Sequence, residues 1–189
     1  QDQIGGSVGG LKLISTQPAM VPEATIRYVP ADVLDPQQNG GQTLLYYTGI
    51  TRLAKNILQQ VVGRYLDRDR EALRVLRGLH DIAPQVAEAL ARKDIAEFGR
   101  LIDQVWQLNK RLDPDSSNTQ IEAMLDRVRP GIYGAKLLGA GGGGFLLLIC
   151  RSSEDAAQVR AELDANPPND RARFFDFGVS AQGLGVSVC

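Results

Sequence analysis

The stretch Gly134-Ala135-Lys136-Leu137-Leu138-Gly139-Ala140-Gly141-Gly142-Gly143-Gly144-Phe145-Leu146-Leu147-Leu148 decides how this chain is read. Its first part favours a strand, and the apolar run 145–150 has strand length and reads as a second. Between them, five of the six residues 139–144 are glycine. Glycine in that density weakens a strand and raises the entropy lost on folding, so the position demands backbone freedom. Without Cβ atoms, main-chain amides can approach an anion or another loop closely. A sharp hairpin packed under a neighbouring loop fits the composition equally well.

Two better-known glycine loops and one kinase tripeptide do not fit. Gly139, Gly141 and Gly144 have dinucleotide-fingerprint spacing, but that motif needs a helix after its last glycine, and here an apolar strand follows. The phosphate loop of P-loop enzymes ends in Gly-Lys-Ser/Thr, whereas Lys136 precedes the glycines. Asp176-Phe177-Gly178 spells a protein-kinase tripeptide, but no His-Arg-Asp occurs in the chain. It is read as the end of a strand over 173–177, with Phe175 and Phe177 on one face.

Downstream of the tract, a helix is expected over 153–163, then strands over 173–177 and 184–188 after the Pro167-Pro168 break. Upstream, residues 52–129 carry helical periodicity. Leu53, Ile57, Val61 and Tyr65, flanked by Ala54, Leu58, Val62 and Leu66, make one apolar stripe. Leu73, Leu76, Leu79, Ala83, Val86 and Leu90 make a second, with Pro84 a candidate kink. Ile95, Phe98, Ile102, Val105 and Leu112 make a third. Ile121, Met124, Leu125 and Val128 make a fourth, its cap expected among Ser116, Ser117 and Asn118. Residues 1–48 read as β-rich, with short runs at 11–14, 25–29 and 43–47 bounded by prolines and the Asn39-Gly40-Gly41 turn. The order predicts an α+β fold, helices on a mostly antiparallel four-stranded sheet.

Composition narrows the function classes. The 189 residues are 43% hydrophobic and 23% charged, enough for a well-formed core. A net charge of -1 argues against a nucleic-acid footprint, and no apolar run is long enough to suggest a membrane span. Cys150 and Cys189 make neither a disulfide framework nor a metal pattern; the expected setting is cytoplasmic. Cys150 reads as a small buried hydrophobe. Trp106 reads as core or interface, His80 as structural or exposed, and the mixed-sign run 64–74 as a solvated helix face.

The stretch 134–148 resembles the third, C-terminal glycine motif of the galactokinase/homoserine kinase/mevalonate kinase/phosphomevalonate kinase (GHMP) superfamily. Residues 44–52, Leu-Leu-Tyr-Tyr-Thr-Gly-Ile-Thr-Arg, resemble the segment that opens the C-terminal domain of bacterial fucokinases and heptose-phosphate kinases. Residues 106–110, Trp-Gln-Leu-Asn-Lys, and the closing stretch 175–184 are more similar to the fucokinase branch. The resemblance covers essentially the whole chain. It implies that residues 1–48 end the kinase N-terminal domain and residues 49–189 form its C-terminal domain. It also implies transfer of the ATP γ-phosphate, with Mg2+, to the anomeric hydroxyl of a sugar, most simply L-fucose. A heptose-7-phosphate kinase and a noncatalytic binding module on the same fold are the alternatives. Some fucokinases are fused to a nucleotidyltransferase, of which nothing is visible here.

Gln1-Asp2-Gln3 resembles the Asp-Gln segment of galactokinase-like members, so Asp2 is the implied catalytic residue, taking or orienting the hydroxyl proton; read from the residues alone, it could equally be a terminal Asp capping a helix. The chain opens there without an initiator Met, as if in mid-motif. The family's main ATP loop is not found in the sequence and is expected in a missing N-terminal half, the implied partner. Gly139, Gly141, Gly142, Gly143 and Gly144 are the candidate phosphate-side loop. Arg52 could face a substrate or phosphate, or be a surface Arg at a helix start. Lys136 could neutralise phosphate charge, or be a solvated strand Lys. Asn109 and Lys110 read as a helix end, where Lys complements the dipole. No metal ligand is proposed.

Overall fold

A computed structural model describes residues 2–21, 23–51, 54–139 and 141–185, without the side chains of residues 2, 3 and 54–58. Short strands β1 (Lys12–Thr16) and β2 (Ala24–Tyr28) form a separate antiparallel ribbon, with Ile14 opposite Ile26. It follows a six-residue helix, α1 (Asp2–Ser7), at the start of the segment 1–48 that was expected to be β-rich. Lys12 ties the turn after that helix: its ammonium donates to the Gly10 carbonyl at 2.9 Å and also to that of Val8.

The four-stranded sheet contains β3 (Thr43–Tyr47), β4 (Ile132–Leu137), β5 (Phe145–Cys150) and β6 (Arg173–Phe175) in the order β4-β5-β3-β6. Every neighbouring pair is antiparallel, as the glycine-linked strands predicted. β3 therefore lies inside the sheet, although its residues precede the boundary expected at 48/49. β6 is shorter than the predicted strand 173–177: Phe177 has left the ladder and packs against the core cluster that includes Val33, Leu147 and Ile149. Leu184 and Gly185 are not in a strand, and the rest of the predicted strand 184–188 is outside the described residues.

Strand alternation sends successive side chains to opposite faces, and both faces are covered. Leu44, Tyr46, Leu146, Leu148, Ala135 and Leu137 point into the main core. There they meet α5 (Thr119–Val128) and α6 (Ser153–Ala165) through Ile121, Met124, Leu125 and Leu163. On the other face Leu147 and Ile149 meet α3 (Arg70–Ala91) and α4 (Ile95–Leu112) through Ile82, Leu90, Phe98 and Leu101. α4 approaches β4 closely because glycines face each other: a Cβ at Gly134 would stand 2.0 Å from the Gly99 carbonyl oxygen. Trp106 is fully buried in the main core, as expected.

Side-chain oxygens of Asp, Asn and Ser at the helix starts accept main-chain N–H bonds that a helix cannot satisfy internally. Asp69 caps α3 and Asp94 caps α4; Asn118, of the three candidates, caps α5, and Ser152 caps α6. Pro84 lies within α3, which continues past it. The first apolar stripe is the weakest expectation. In α2 (Ala54–Leu66), Val61 packs on α3, but Val62, Tyr65 and Leu66 are exposed. Leu53 lies outside the described residues, as do the side chains of Ala54, Ile57 and Leu58. The run 64–74 is not one helix face: residues 67–69 turn the chain, with Arg68 at φ 54°. Arg64 donates to the Leu112 carbonyl, placing a cation at the C-terminal end of α4, where the helix dipole favours it.

Candidate functional site

The glycine tract leaves β4 and returns as β5, with Leu138 N–H bonded to the Phe145 carbonyl at 2.8 Å. Gly139, Gly141, Gly142 and Gly144 lie at φ between 77° and 94°, the region where a Cβ is costly. Two neighbouring loops hold the tract. The Gly142 amide donates to the carbonyl of Ser116, in the 3-10 turn Pro114–Ser116. The Gly144 amide donates to the Ile50 carbonyl at 2.9 Å. The Gly144 carbonyl accepts from both the Thr48 amide and the Thr48 hydroxyl, each at 2.9 Å. There is no room for side chains at these approaches. A Cβ at Gly143 would stand 2.3 Å from the Ile50 oxygen, and one at Gly141 would stand 2.8 Å from the Ser116 oxygen.

The tract is thus a hairpin packed under other loops, and it also leaves main-chain donors unpaired among the described residues, at exposed Gly139, half-buried Gly141 and buried Gly143. The amides of Gly139, Gly141 and Gly143 donate to no acceptor among the described residues. Amides exposed by glycine at positive φ can form an anion-binding concavity. Lys136 sits near the end of β4, opposite Leu147 in the ladder. It is half-buried, and its ammonium donates to the Leu137 carbonyl, one residue nearer the tract, at 2.8 Å. Burial lowers its pKa below the ordinary lysine value. A partly desolvated ammonium gains more from an anionic partner than a solvated one does.

The sheet end next to the tract is aromatic. Phe145, directly after Gly144, lies 5.3 Å from Tyr47 and 5.2 Å from Phe175, ring centre to ring centre. Beyond Phe175 the chain reaches the Asp2-bearing segment: the Gly10 amide donates to the Ser180 carbonyl at 2.7 Å, and the Leu184 amide to the Ser7 carbonyl at 3.1 Å. A Cβ at Gly9 would stand 2.4 Å from the Ala181 oxygen, so these segments touch through their backbones. Both ends of the chain that carry the resemblance therefore meet.

The expected site residues do not all come together. The five tract glycines gather with Ile50 and Ser116, and Lys136 lies near the end of the strand that leads into them. Asp2 begins α1, which shares no hydrogen bond with the tract among the described residues; the Asp2 side chain lies outside the description. Arg52 lies outside the described residues altogether.

Sequence reasoning missed the carbonyls of Ser116 and Ile50, since a backbone acceptor carries no side-chain signal. It also gave Lys110 a simpler role. Lys110 does stand in the last turn of α4, but its ammonium pairs with Glu122 of α5 at 2.9 Å and lies 5.7 Å from the centre of the Trp106 ring. Asn109 offers its carbonyl to the Asp113 amide at 2.9 Å. His80 is exposed beside Asp81, as expected. Among the described residues, no group of three or more His, Cys, Asp or Glu is placed to hold a metal ion, and no helix is long and apolar enough to cross a membrane.

Residues 86–169 match the family model described as GHMP kinases C terminal. The L-fucokinase/L-fucose-1-P guanylyltransferase of Bacteroides fragilis is 36% identical over 187 residues, 99% of this chain and 20% of that protein. The D-glycero-alpha-D-manno-heptose 7-phosphate kinase of Campylobacter jejuni is 28% identical over 165 residues, 85% of this chain and 47% of that protein. The chain therefore spans about a fifth of the first relative and just under half of the second. In three dimensions, L. major mevalonate kinase in complex with R-mevalonate superposes with a TM-score of 0.68 at 21% identity, over 92% of this chain and 50% of that one. At that identity the likeness concerns the fold alone.

Proposed function

Because this chain belongs to the GHMP kinase superfamily through its C-terminal domain, we propose that it is part of an ATP-dependent sugar 1-kinase acting on L-fucose. The observation that carries the reading is the glycine tract. It is anchored through Gly142 and Gly144, while the amides of exposed Gly139 and half-buried Gly141 have no protein acceptor among the described residues, with the half-buried Lys136 near its start. Such donors fit phosphate oxygens. The described residues fit the phosphate groups of ATP and provide no cluster for Mg2+. The metal, when bound, neutralises phosphate charge, and no step below passes through it.

In the proposed reaction the anomeric oxygen attacks the γ-phosphorus and loses its proton to the Asp2 carboxylate. The new O–P bond forms as the bond from the γ-phosphorus to the bridging oxygen breaks, and ADP leaves with that electron pair. Most of the acceleration in such transfers comes from positioning and charge stabilisation. The tract amides and Lys136 would steady the phosphates, and Arg52 would add a fork of donors to substrate or phosphate. A cytoplasmic setting goes with this reading.

Residues 1–48 would close the N-terminal lobe, whose upstream part supplies the main ATP loop, and residues 49–189 would be the C-terminal lobe. β3, joined to β5 and β6, would belong structurally to the second lobe and carry the crossing. L-fucose is preferred over a heptose 7-phosphate because the fucokinase relative is more similar over more of the chain. The test is ADP release by the full-length protein against a sugar panel. Turnover with L-fucose supports the proposal. Preference for the heptose phosphate moves the substrate but keeps the chemistry, and no turnover with any sugar favours a binding module.

A further inference from the structure

The loop that anchors the tract is itself braced, and by a residue with no role so far. Residues 113–118 join α4 to α5. Ser116, buried, meets the tract through its carbonyl at Gly142 and its backbone at Gly141. On its N-terminal side the Ser116 amide donates to the Asp113 carbonyl at 2.9 Å, and buried Asp113 accepts from the Asp115 amide at 3.0 Å. On its C-terminal side the Ser117 hydroxyl donates to one carboxylate oxygen of Glu122 at 2.5 Å. The other oxygen of Glu122 accepts from Lys110 at 2.9 Å. One carboxylate on α5 thus ties the last turn of α4 to the residue after Ser116.

We propose that Glu122 is a positioning residue for phosphate binding, holding the 113–118 loop so that Ser116 fixes the conformation of Gly141 and Gly142. The inference rests on reading the tract as a phosphate-side loop. Three observations favour this role over a surface ion pair. The carboxylate is shared between two partners from different segments. Lys110 is only 23% exposed and stacks on buried Trp106, so it cannot easily swing away. Burial alone would raise the Glu122 pKa, yet the Ser117 hydroxyl and the Lys110 ammonium outweigh it and hold the carboxyl below its ordinary value. The brace acts at a distance, with no contact between Glu122 and phosphate.

The experiment compares Glu122→Ala, Glu122→Gln and Gly141→Ala in the full-length kinase, measuring KM for ATP, KM for sugar, kcat and melting temperature. Glu122→Ala is expected to raise KM for ATP about ten-fold, as loss of a supporting residue commonly does. KM for sugar should stay unchanged. Glu122→Gln, which can still accept from one partner and keeps the shape, should recover most of the loss. Arg127→Ala, which removes a surface pair with Glu162 at 2.9 Å, is the stability control and should leave KM for ATP unmoved. If Glu122→Ala lowers the melting temperature while KM for ATP stays at the parent value, the inference is overturned and Glu122 is structural only. If Gly141→Ala also leaves KM for ATP unchanged, the phosphate-loop reading falls with it. If Gly141→Ala raises KM and Glu122→Ala does not, only the brace is wrong.

Discussion

The contact between Gly134 and Gly99 sets how closely α4 lies on the sheet, and Gly134→Ala tests it. A new Cβ would stand 2.0 Å from the Gly99 oxygen and 2.8 Å from the Asp103 Cβ. Ordinary contact starts at 3.4 Å, so helix and strand would have to separate by more than an ångström. Both obstacles sit on or next to the backbone of α4, and Gly99 faces the Tyr133 Cβ and Ile149 in return. No rotamer change can relieve the clash. Overpacking of a dense core costs about 1–3 kcal/mol, and a backbone obstacle places this case at the upper end, about 3 kcal/mol. Alanine returns roughly 0.5–1 kcal/mol of chain entropy in a strand, leaving a net loss of about 2–2.5 kcal/mol. For a domain of this size that is a fall in melting temperature of roughly 4–10 °C. Urea unfolding should show a lower midpoint at unchanged slope. Gly63→Ala is the opposite control. Gly63 lies in α2 with nothing within 4 Å of a built Cβ, so alanine should raise stability by about 0.5–1 kcal/mol. A Gly134→Ala protein within about 0.5 kcal/mol of the parent would refute the reasoning.

Lys136→Met should stabilise the fold near neutral pH while weakening ATP binding. Burial lowers the Lys136 pKa, so the unfolded chain holds this proton more tightly, and stability rises with pH from the lowered pKa up to the ordinary value of 10.5. The methionine variant should lose that rise, as pH-dependent urea unfolding would reveal. Cys150 is fully buried, and desolvation pushes its thiol up to about 12. A thiol reagent should therefore label it at neutral pH only after urea unfolding, and rapid labelling of the native protein at this position would contradict its placement. Asp94→Ala removes the bond to the Glu97 amide at 2.9 Å that starts α4. It should cost about 1 kcal/mol by urea unfolding, and an unchanged midpoint would show that the cap is dispensable.

Much of this architecture could be read from residue patterns. The apolar run 145–150 and the glycines before it predicted a strand pair, and β4 and β5 are that pair. The cap Asn118 and the third and fourth stripes were equally legible, because capping and helical spacing are local. Failures came where distant contacts decide. Val62, Tyr65 and Leu66 complete a stripe in sequence, yet among the described side chains of α2 it is Val61 that packs on α3, and those three are exposed. Phe177 continues an alternation begun at Phe175, but tertiary packing draws it off the strand. At the site, the tract announced itself by composition. Its anchors did not, because the carbonyls of Ser116 and Ile50 are common to every residue type. Glu122 lies twelve residues from Lys110, beyond one helix turn, and only the fold of the 113–118 loop joins them.

The most direct test of the central claim is the chemical step in full-length protein carrying Asp2→Asn, followed by single-turnover phosphorylation of L-fucose. Asparagine keeps the size of the side chain and removes the proton acceptor. The account predicts a rate lower by about 10²–10⁴-fold, with the affinities for ATP and L-fucose retained. A variant that phosphorylates L-fucose at the parental rate would contradict the role of Asp2 and the kinase mechanism built on it.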